Sequence, residues 1–362
     1  MDMQRTYIIA EAGVNHGGDE ARAIELIDIA VNAGADAVKF QLFTPDALVT
    51  RDAKTADYQQ QNLNDSNISQ LDMLKLLTLP VGALVRLSEH CKIAGIDFLC
   101  TPFDKESLDY LIEREIPMRY LKLASGEVTN GPLLLAAARA GKPIILSTGM
   151  ADIDEIRDAL AILYFGYNFL NGYPNDLELT KAMMDFLRER VTLLHCVSQY
   201  PAPIASMNLR AINTLASEFN LPVGLSDHSL GINMSIAAVA RGASIIEKHF
   251  TYDVDAKGPD HAASLSPQEL GEMIEAIREV ESGLGDGRKI CQPEEENTRA
   301  VARRSVVAAT KIAKGEVFLE GNICCKRPAT GDVRPNQFWE LLGKKAGRDY
   351  EDDDFIDGGE LK

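Results

Sequence analysis

Eight short apolar runs in the sequence each end in side chains able to do chemistry. Tyr7–Ala10 leads to Glu11 and then Gly13-Val14-Asn15-His16. Ala37–Gln41 carries Lys39, and Phe98–Thr101 ends at Thr101-Pro102-Phe103. Tyr120–Leu123 carries Lys122 and continues into Ser125-Gly126-Glu127, while Ile144–Ser147 ends in Ser147-Thr148-Gly149. Val191–Cys196 carries His195 and leads to Tyr200. Val223–Ser226 is followed by Asp227-His228, and Ile245–His249 closes on Glu247-Lys248-His249. One polar residue at such an end is ordinary solvation. A carboxylate, hydroxyl, lysine or imidazole at all of them is a pattern that solvation does not explain.

Two chemistries are written into these residues. His228 and His249 follow consecutive runs, so their imidazoles can converge; histidine with oxygen ligands suits a first-row divalent ion such as manganese, with water or substrate completing the shell. Strand alternation puts Glu247 on the same face as His249, where it can support such a site. Lys39 and Lys122 supply cations, and Ser125, Ser147 and Ser226 supply hydroxyls, the first two with glycine nearby. Lysine acts as a point charge on phosphate, and glycine lets backbone N–H groups approach an anion. Together they read as a phosphate or carboxylate cradle. A lone histidine such as His195 reads instead as a buried, hydrogen-bonded core residue.

The elements that must position these groups follow from the alternation itself. Amphipathic helical stretches such as Glu20–Ala33, Gly82–Ala94 and Asp152–Leu163 lie between the runs, and the runs are nearly all apolar, as parallel strands buried on both faces are. Repeated strand–helix units of this number fit a TIM (β/α)8 barrel, whose active site lies at the C-terminal strand ends. An open doubly wound sheet is disfavoured, because no G-x-G-x-x-G follows the first strand. The last helix is announced by the capping box of Ser266 and Glu269 with Pro267 at its first position, and is expected to run out near Glu281. The glycine-rich stretch Ser282–Arg288 then marks a boundary. The expected organisation is a barrel over 1–282, a linker over 283–302 and a small β-rich module over 303–362. Leu42–Leu79 and Tyr164–Met184 exceed ordinary barrel loops; the second is read as a packed surface insertion.

Composition narrows the function. The chain has 362 residues, 46% hydrophobic and 25% charged, with a formal net charge of -17. That charge argues against a nucleic-acid-coating protein, although a few lysines in a cleft can reverse the sign locally. No apolar run reaches membrane-spanning length, and Met1–Arg5 runs into a strand without signal-peptide character, so no membrane partner and a cytoplasmic location are expected. The six cysteines show no C-x-x-C spacing and read as reduced thiols.

The ordered motifs Ile9–His16, Val38–Gln41, Thr101–Phe103, Lys122–Glu127, Leu146–Met150, Leu225–Ser229, Glu247–Thr251, Gly258–Ser264 and Lys326-Arg327-Pro328 resemble the N-acetylneuraminate (sialic acid) synthase family over nearly the whole chain. The resemblance implies a TIM barrel followed by an antifreeze-like (SAF) domain. It implies condensation of phosphoenolpyruvate with an N-acetylated hexosamine to a nine-carbon 2-keto-3-deoxy acid and phosphate. It also implies a divalent metal, commonly manganese, with magnesium or cobalt as alternatives, and a homodimer in which each small domain caps the partner's barrel. Carried over by motif, His228 and His249 hold the metal. Lys39, Thr101, Lys122, Ser125, Ser147 and Ser226 hold phosphoenolpyruvate. Glu127, Tyr200 and Asp260 face the sugar, Arg327 reaches its N-acetyl group from the partner, and Glu11 handles the proton or water. Glu11, Glu127, Glu247 and Asp227 form an acidic ring in this reading.

One departure and one further resemblance concern the acceptor. Ser198 and Gln199 follow His195-Cys196-Val197, where members with neuraminate activity often carry Asn two residues after the His-Cys pair. Tyr58-Gln59 with Met73-Leu74 resembles legionaminate-type synthases, which take a 2,4-diacetamido-6-deoxy sugar instead of N-acetylmannosamine. The competing readings are a Schiff-base aldolase using Lys39 or Lys122, a non-catalytic sugar- or ice-binding protein, and a related phosphoenolpyruvate enzyme acting on a sugar phosphate, for which the motifs show no second basic site, though a loop residue such as Arg51 could supply one.

Overall fold

The computed structural model describes residues 5–51, 53–56, 59–60, 62, 68–80, 82–175 and 177–362. Tyr58, one of the acceptor-motif residues, lies outside them. The chain divides into two compact units, Met1–Gly285 and Asp286–Lys362.

The first unit holds eight parallel strands: β1 (Tyr7–Gly13), β2 (Ala37–Leu42), β3 (Asp97–Pro102), β4 (Leu121–Leu123), β5 (Ile144–Ser147), β6 (Val191–Cys196), β7 (Val223–Asp227) and β8 (Ile245–His249). Backbone hydrogen bonds link them in the order β3-β2-β1-β8-β7-β6-β5-β4. β3 and β4 lie side by side at the remaining seam, giving a near-closed barrel. Its helices are α1 (Glu20–Ala33), α2 (Ala83–Ala94), α3 (Lys105–Glu113), α4 (Gly131–Arg139), α5 (Ile153–Asn168), α6 (Arg210–Phe219), α7 (Asn233–Ala240) and α8 (Pro267–Leu284).

Local chemistry sets these helices. The Asp19 carboxylate accepts from Ala21 N and Arg22 N to start α1, whose buried face is Ala23, Leu26, Ile27 and Ala30 at helical spacing. Ser266 and Glu269 form the expected reciprocal cap of α8. That helix passes the expected end at Glu281 and includes Gly283, ending at Leu284 before Gly285 at φ 63°. A single glycine costs a helix only about 1 kcal/mol, so it did not stop this one. The segment expected as a linker holds the helix Glu296–Ala302, within the second unit.

Helix α5 likewise continues beyond Leu163 to Asn168. Gly166 sits inside it because a Cβ there would meet Ala138 Cβ at 2.6 Å, so the absent side chain lets α4 and α5 approach. The aromatic segment is packed in part: Tyr164 meets Phe186 edge-on at 5.4 Å and the Tyr167 hydroxyl donates to Lys142 O at 2.7 Å, whereas Phe169 and Tyr173 are exposed. In the other long connection, the helix Gln70–Leu77 buries Met73 and Leu74 beside Val14 and Phe43.

The inside of the barrel is layered. Ile9, Ala37, Leu99, Ile145, Leu194 and Ile245 form a buried apolar cluster. Two residues further along the same strands stand Glu11, Lys39, Thr101, Ser147, Cys196 and Glu247, all lining one cleft. Because side chains alternate along a strand, this i, i+2 step places a polar layer directly above an apolar one. The apolar layer closes the floor and the polar layer faces the C-terminal mouth.

The second unit pairs β9 (Ser305–Ala308) antiparallel with β10 (Ile323–Lys326). Further bridges join Ile312 to Tyr350 and Val317 to Lys345. Its core includes Val306, Ile312, Phe318, Ile323, Leu341, Tyr350 and Ile356.

Candidate active site

The cleft at the C-terminal mouth has a volume of about 460 Å³. Ten of the residues singled out from the sequence line it: Glu11, Lys39, Thr101, Lys122, Ser125, Ser147, Tyr200, Ser226, His228 and His249. Strand register brings them together. Glu11 lies opposite Lys39 on β2 and His249 on β8, and Ser226 lies opposite Glu247.

Glu247 is the centre of charge. Its carboxylate lies 3.6 Å from both Lys39 Nζ and Lys122 Nζ and accepts from Ser226 Oγ at 2.9 Å. Burial opposes ionisation, yet Lys122 and Lys39 outweigh it and hold the pKa at about 2. Lys39 also reaches Glu11 Oε2 at 2.9 Å and donates to Thr101 Oγ1 at 3.0 Å. Burial works against the Lys39 cation, but Glu11 and Glu247 more than offset it and raise its pKa. Lys39 is therefore a fixed cation, without the lowered pKa a Schiff-base lysine needs. Lys122 donates to Ser147 Oγ at 2.8 Å and Leu123 O at 3.1 Å, and its pKa is lowered by burial against the pull of Glu247. Burial pushes the Glu11 carboxyl up, with Lys39 pulling the other way, and Gln41 Nε2 donates to it at 3.0 Å.

On the other side of the cleft, His228 and His249 have ring centroids 5.5 Å apart, and Tyr200 stacks on His228 at 4.1 Å. His228 Nδ1 donates to Val197 O at 2.8 Å, which in the neutral ring leaves Nε2 with the lone pair; burial disfavours the cation, but Cys196 outweighs it and raises the pKa. His249 Nδ1 is buried with no hydrogen-bond partner, 3.9 Å from Asp260 Oδ2. Burial, then His228 and Lys39, hold the His249 pKa well below the usual imidazole value, leaving it neutral. Two adjacent imidazoles, one with an orphaned buried nitrogen, suit a divalent cation. Among the described residues no group of three or more His, Cys, Asp or Glu forms a ready metal cage, so such an ion would take its remaining ligands from water or substrate. Gly13, at φ +54°, passes this site with only a hydrogen at Cα; a Cβ would press on His249 Cε1 and Gln41 Nε2 at 3.3 Å.

Asp260 lies in an adjoining pocket with Tyr200, His249, Phe43 and Met73, and burial, then Glu11, raise its pKa to about 6. Two expected members stand elsewhere. Asp227 is not part of an acidic ring: it points outward, fully buried, 3.1 Å from Lys248 Nζ and accepting from Ser229 and Ser235 hydroxyls at 2.7 Å. Strand alternation forces this, since Ser226 takes the inward position. Glu127 accepts from Asn130 Nδ2 at 2.6 Å and is not among the described residues lining the cleft. Arg327 is an exposed residue of the second unit. His195, expected as a core residue, bonds Met207 O at 2.7 Å. Sequence reasoning left Gln41 and Cys196 without a role, although each continues the inward alternation of its strand, and it missed Gln70; Gln59, of the acceptor motif, also lines the cleft.

Fold and site together define a (β/α)8-barrel protein whose C-terminal cleft sets two buried lysines against a pair of imidazoles. The chain belongs to the NeuB family, whose model matches residues 26–289. It is 45% identical over 355 residues to the N,N'-diacetyllegionaminic acid synthase of Campylobacter jejuni, covering 98% of this chain and 99% of that one. It is 42% identical to the enzyme of the same name from Legionella pneumophila, covering 94% and 90% of the two chains. Among solved structures it is similar to an N-acetylneuraminic acid (sialic acid) synthetase from Leptospira borgpetersenii in complex with citrate. That likeness has a TM-score of 0.67 at 34% identity and covers 82% of this chain and 90% of that one. No helix among the described residues is long and apolar enough to cross a membrane.

Proposed function

We propose that this chain is a nonulosonate synthase that condenses phosphoenolpyruvate with 2,4-diacetamido-2,4,6-trideoxymannose, giving a nine-carbon 2-keto-3-deoxy acid and inorganic phosphate. The observation that carries the reaction is the cleft itself, in which Lys39 and Lys122, bridged by Glu247, stand across from His228 and His249. The choice of acceptor rests on the legionaminate-type relatives.

Lys39, Lys122, Thr101, Ser125, Ser147 and Ser226 bind the phosphate and carboxylate of phosphoenolpyruvate, with charge-assisted hydrogen bonds in a water-poor site. His228 and His249 hold a divalent cation, manganese by the chemistry of the donor set, which when bound supplies Lewis-acid polarisation of the acceptor aldehyde. C3 of phosphoenolpyruvate forms a bond to the aldehyde carbon, whose oxygen gains a proton from Glu11, a carboxyl that burial pushes up. Water adds at C2 and returns one proton to Glu11, and the C2–O bond to phosphate breaks as the remaining hydroxyl proton leaves with the phosphate, giving the keto acid. Holding both substrates in one cleft provides much of the acceleration. Tyr200, Asp260 and Glu127 position the sugar. The Asp286–Lys362 unit acts as an antifreeze-like cap, and Arg327 meets the acceptor's N-acetyl group in the partner's barrel of a homodimer.

An acceptor panel with phosphoenolpyruvate, read by phosphate release and product mass, tests this reading. Turnover with the diacetamido trideoxy sugar well above that with N-acetylmannosamine is expected. Phosphate release with neither sugar, or borohydride trapping of a pyruvate imine on Lys122, would overturn it.

A further inference from the structure

The opposite, N-terminal mouth of the barrel holds a second cavity, of about 320 Å³. Arg5, Arg119, Arg188 and Arg190 line it, each just ahead of a strand: β1, β4 and, for the last two, β6. The only carboxylate among the described lining residues is Glu189. In a chain of net charge -17 this is a local reversal of sign. The cavity lies below the apolar layer of Ile9, Leu99, Ile145 and Leu194, which separates it from the catalytic cleft.

The guanidinium groups are only partly compensated: Arg5 and Arg119 each reach one carboxylate, at 3.5 and 3.9 Å. Arg119 lies over the rings of Tyr7 and Tyr120 at 5.5 and 5.6 Å, and those rings meet edge-on at 5.5 Å. Its nearest carboxylate, Asp97 at 3.9 Å, is already bonded by the Tyr7 hydroxyl at 2.6 Å. Arg5 reaches Asp36 Oδ1 at 3.5 Å, and it shares that carboxylate with Arg278 and Ile8 N, which bond Oδ2 at 2.8 Å each. Arg190 packs over Phe186 at 4.0 Å and donates to Phe186 O at 3.1 Å. Neither Arg188 nor Arg190 forms an ion pair among the described residues. Four like charges around one concavity repel one another, and an anion of two or more charges relieves that repulsion while accepting several guanidinium bonds.

From this cavity we infer a second ligand site, at the N-terminal mouth, for a small molecule bearing a phosphate or diphosphate group. The site is distinct from the catalytic cleft and does not depend on the proposed reaction.

Inorganic pyrophosphate at fixed ionic strength, followed by calorimetry, is the probe. Saturable binding is expected, weakened at least about tenfold in the double variant Arg119→Gln, Arg188→Gln, because each lost charge-assisted bond is worth about a decade. The variant is expected to keep kcat/KM for both substrates within about twofold, which also shows that it folds. Absence of saturable binding to the wild type, or unchanged affinity in the double variant, overturns the inference. So does pyrophosphate inhibition competitive with phosphoenolpyruvate at the same constant as binding, which would place the anion in the upper cleft.

Discussion

Replacing Glu247 with Gln keeps the shape of the cleft and removes one charge. The carboxylate sits 3.6 Å from two buried ammonium groups and accepts from Ser226. Its pKa falls from 4.5 to about 2 on folding. At 1.36 kcal/mol per pKa unit the ionised form contributes about 3 kcal/mol to barrel stability. The sign is that of a depressed acid: the contribution is full above the unfolded value near 4.5 and is lost as pH falls toward 2. Glu247→Gln should therefore cost about 3 kcal/mol at pH 7, and the difference from wild type should shrink below pH 4.5. Urea unfolding followed by far-UV circular dichroism is the assay; the single tryptophan, Trp339, lies in the second unit and does not report on the barrel. With Glu247 neutral, Lys122 loses the group that opposes its burial, so its pKa should fall further and the KM for phosphoenolpyruvate should rise more steeply toward alkaline pH. Wild-type stability at pH 7 together with an unchanged pH profile of KM would refute the central role of this carboxylate.

Lys39→Ala should raise the KM for phosphoenolpyruvate roughly 10- to 100-fold and that for the sugar far less, as a lost charge-assisted bond predicts; equal effects on both would remove Lys39 from the anion site. Chelation should abolish turnover and manganese restore it, while His228→Ala should bind manganese at least about tenfold more weakly by calorimetry; full activity of His228→Ala in excess chelator would contradict the metal assignment. His16 is buried, and its pKa is lowered by burial from 6.5 to about 4. The unfolded chain therefore binds a proton that the folded one refuses, and stability should fall by about 3 kcal/mol as pH drops from 6.5 to 4, a slope that His16→Asn should flatten in pH-dependent unfolding. Arg327→Ala should lower kcat/KM for the sugar roughly 10- to 150-fold, and mixing it with Glu11→Ala should restore part of the activity; no rescue after verified subunit exchange would mean that the cap is not exchanged between chains.

Much of this protein was legible in its residues. The apolar runs, the amphipathic stretches between them and the Ser266–Glu269 cap are local signals, set by side-chain period and backbone satisfaction, and they located the eight strands and the start of α8. The polar strand ends named most of the cleft because a barrel offers its C-terminal ends to ligands whatever its sequence. What the residues alone left open was which way each end faces. A strand buried on both sides is apolar on both sides, so Ser226-Asp227-His228 and Glu247-Lys248-His249 carry no mark of inside and outside. Barrel register decided it, sending Ser226 and Glu247 into the cleft and pairing Asp227 with Lys248 in the wall. Tertiary packing likewise carried α5 through Gly166 against α4 and gathered Arg5, Arg119 and the pair Arg188 and Arg190, from the starts of three different strands, around one mouth. Each of these outcomes depends on the distance between groups on different strands and helices, a quantity that closure of the fold creates.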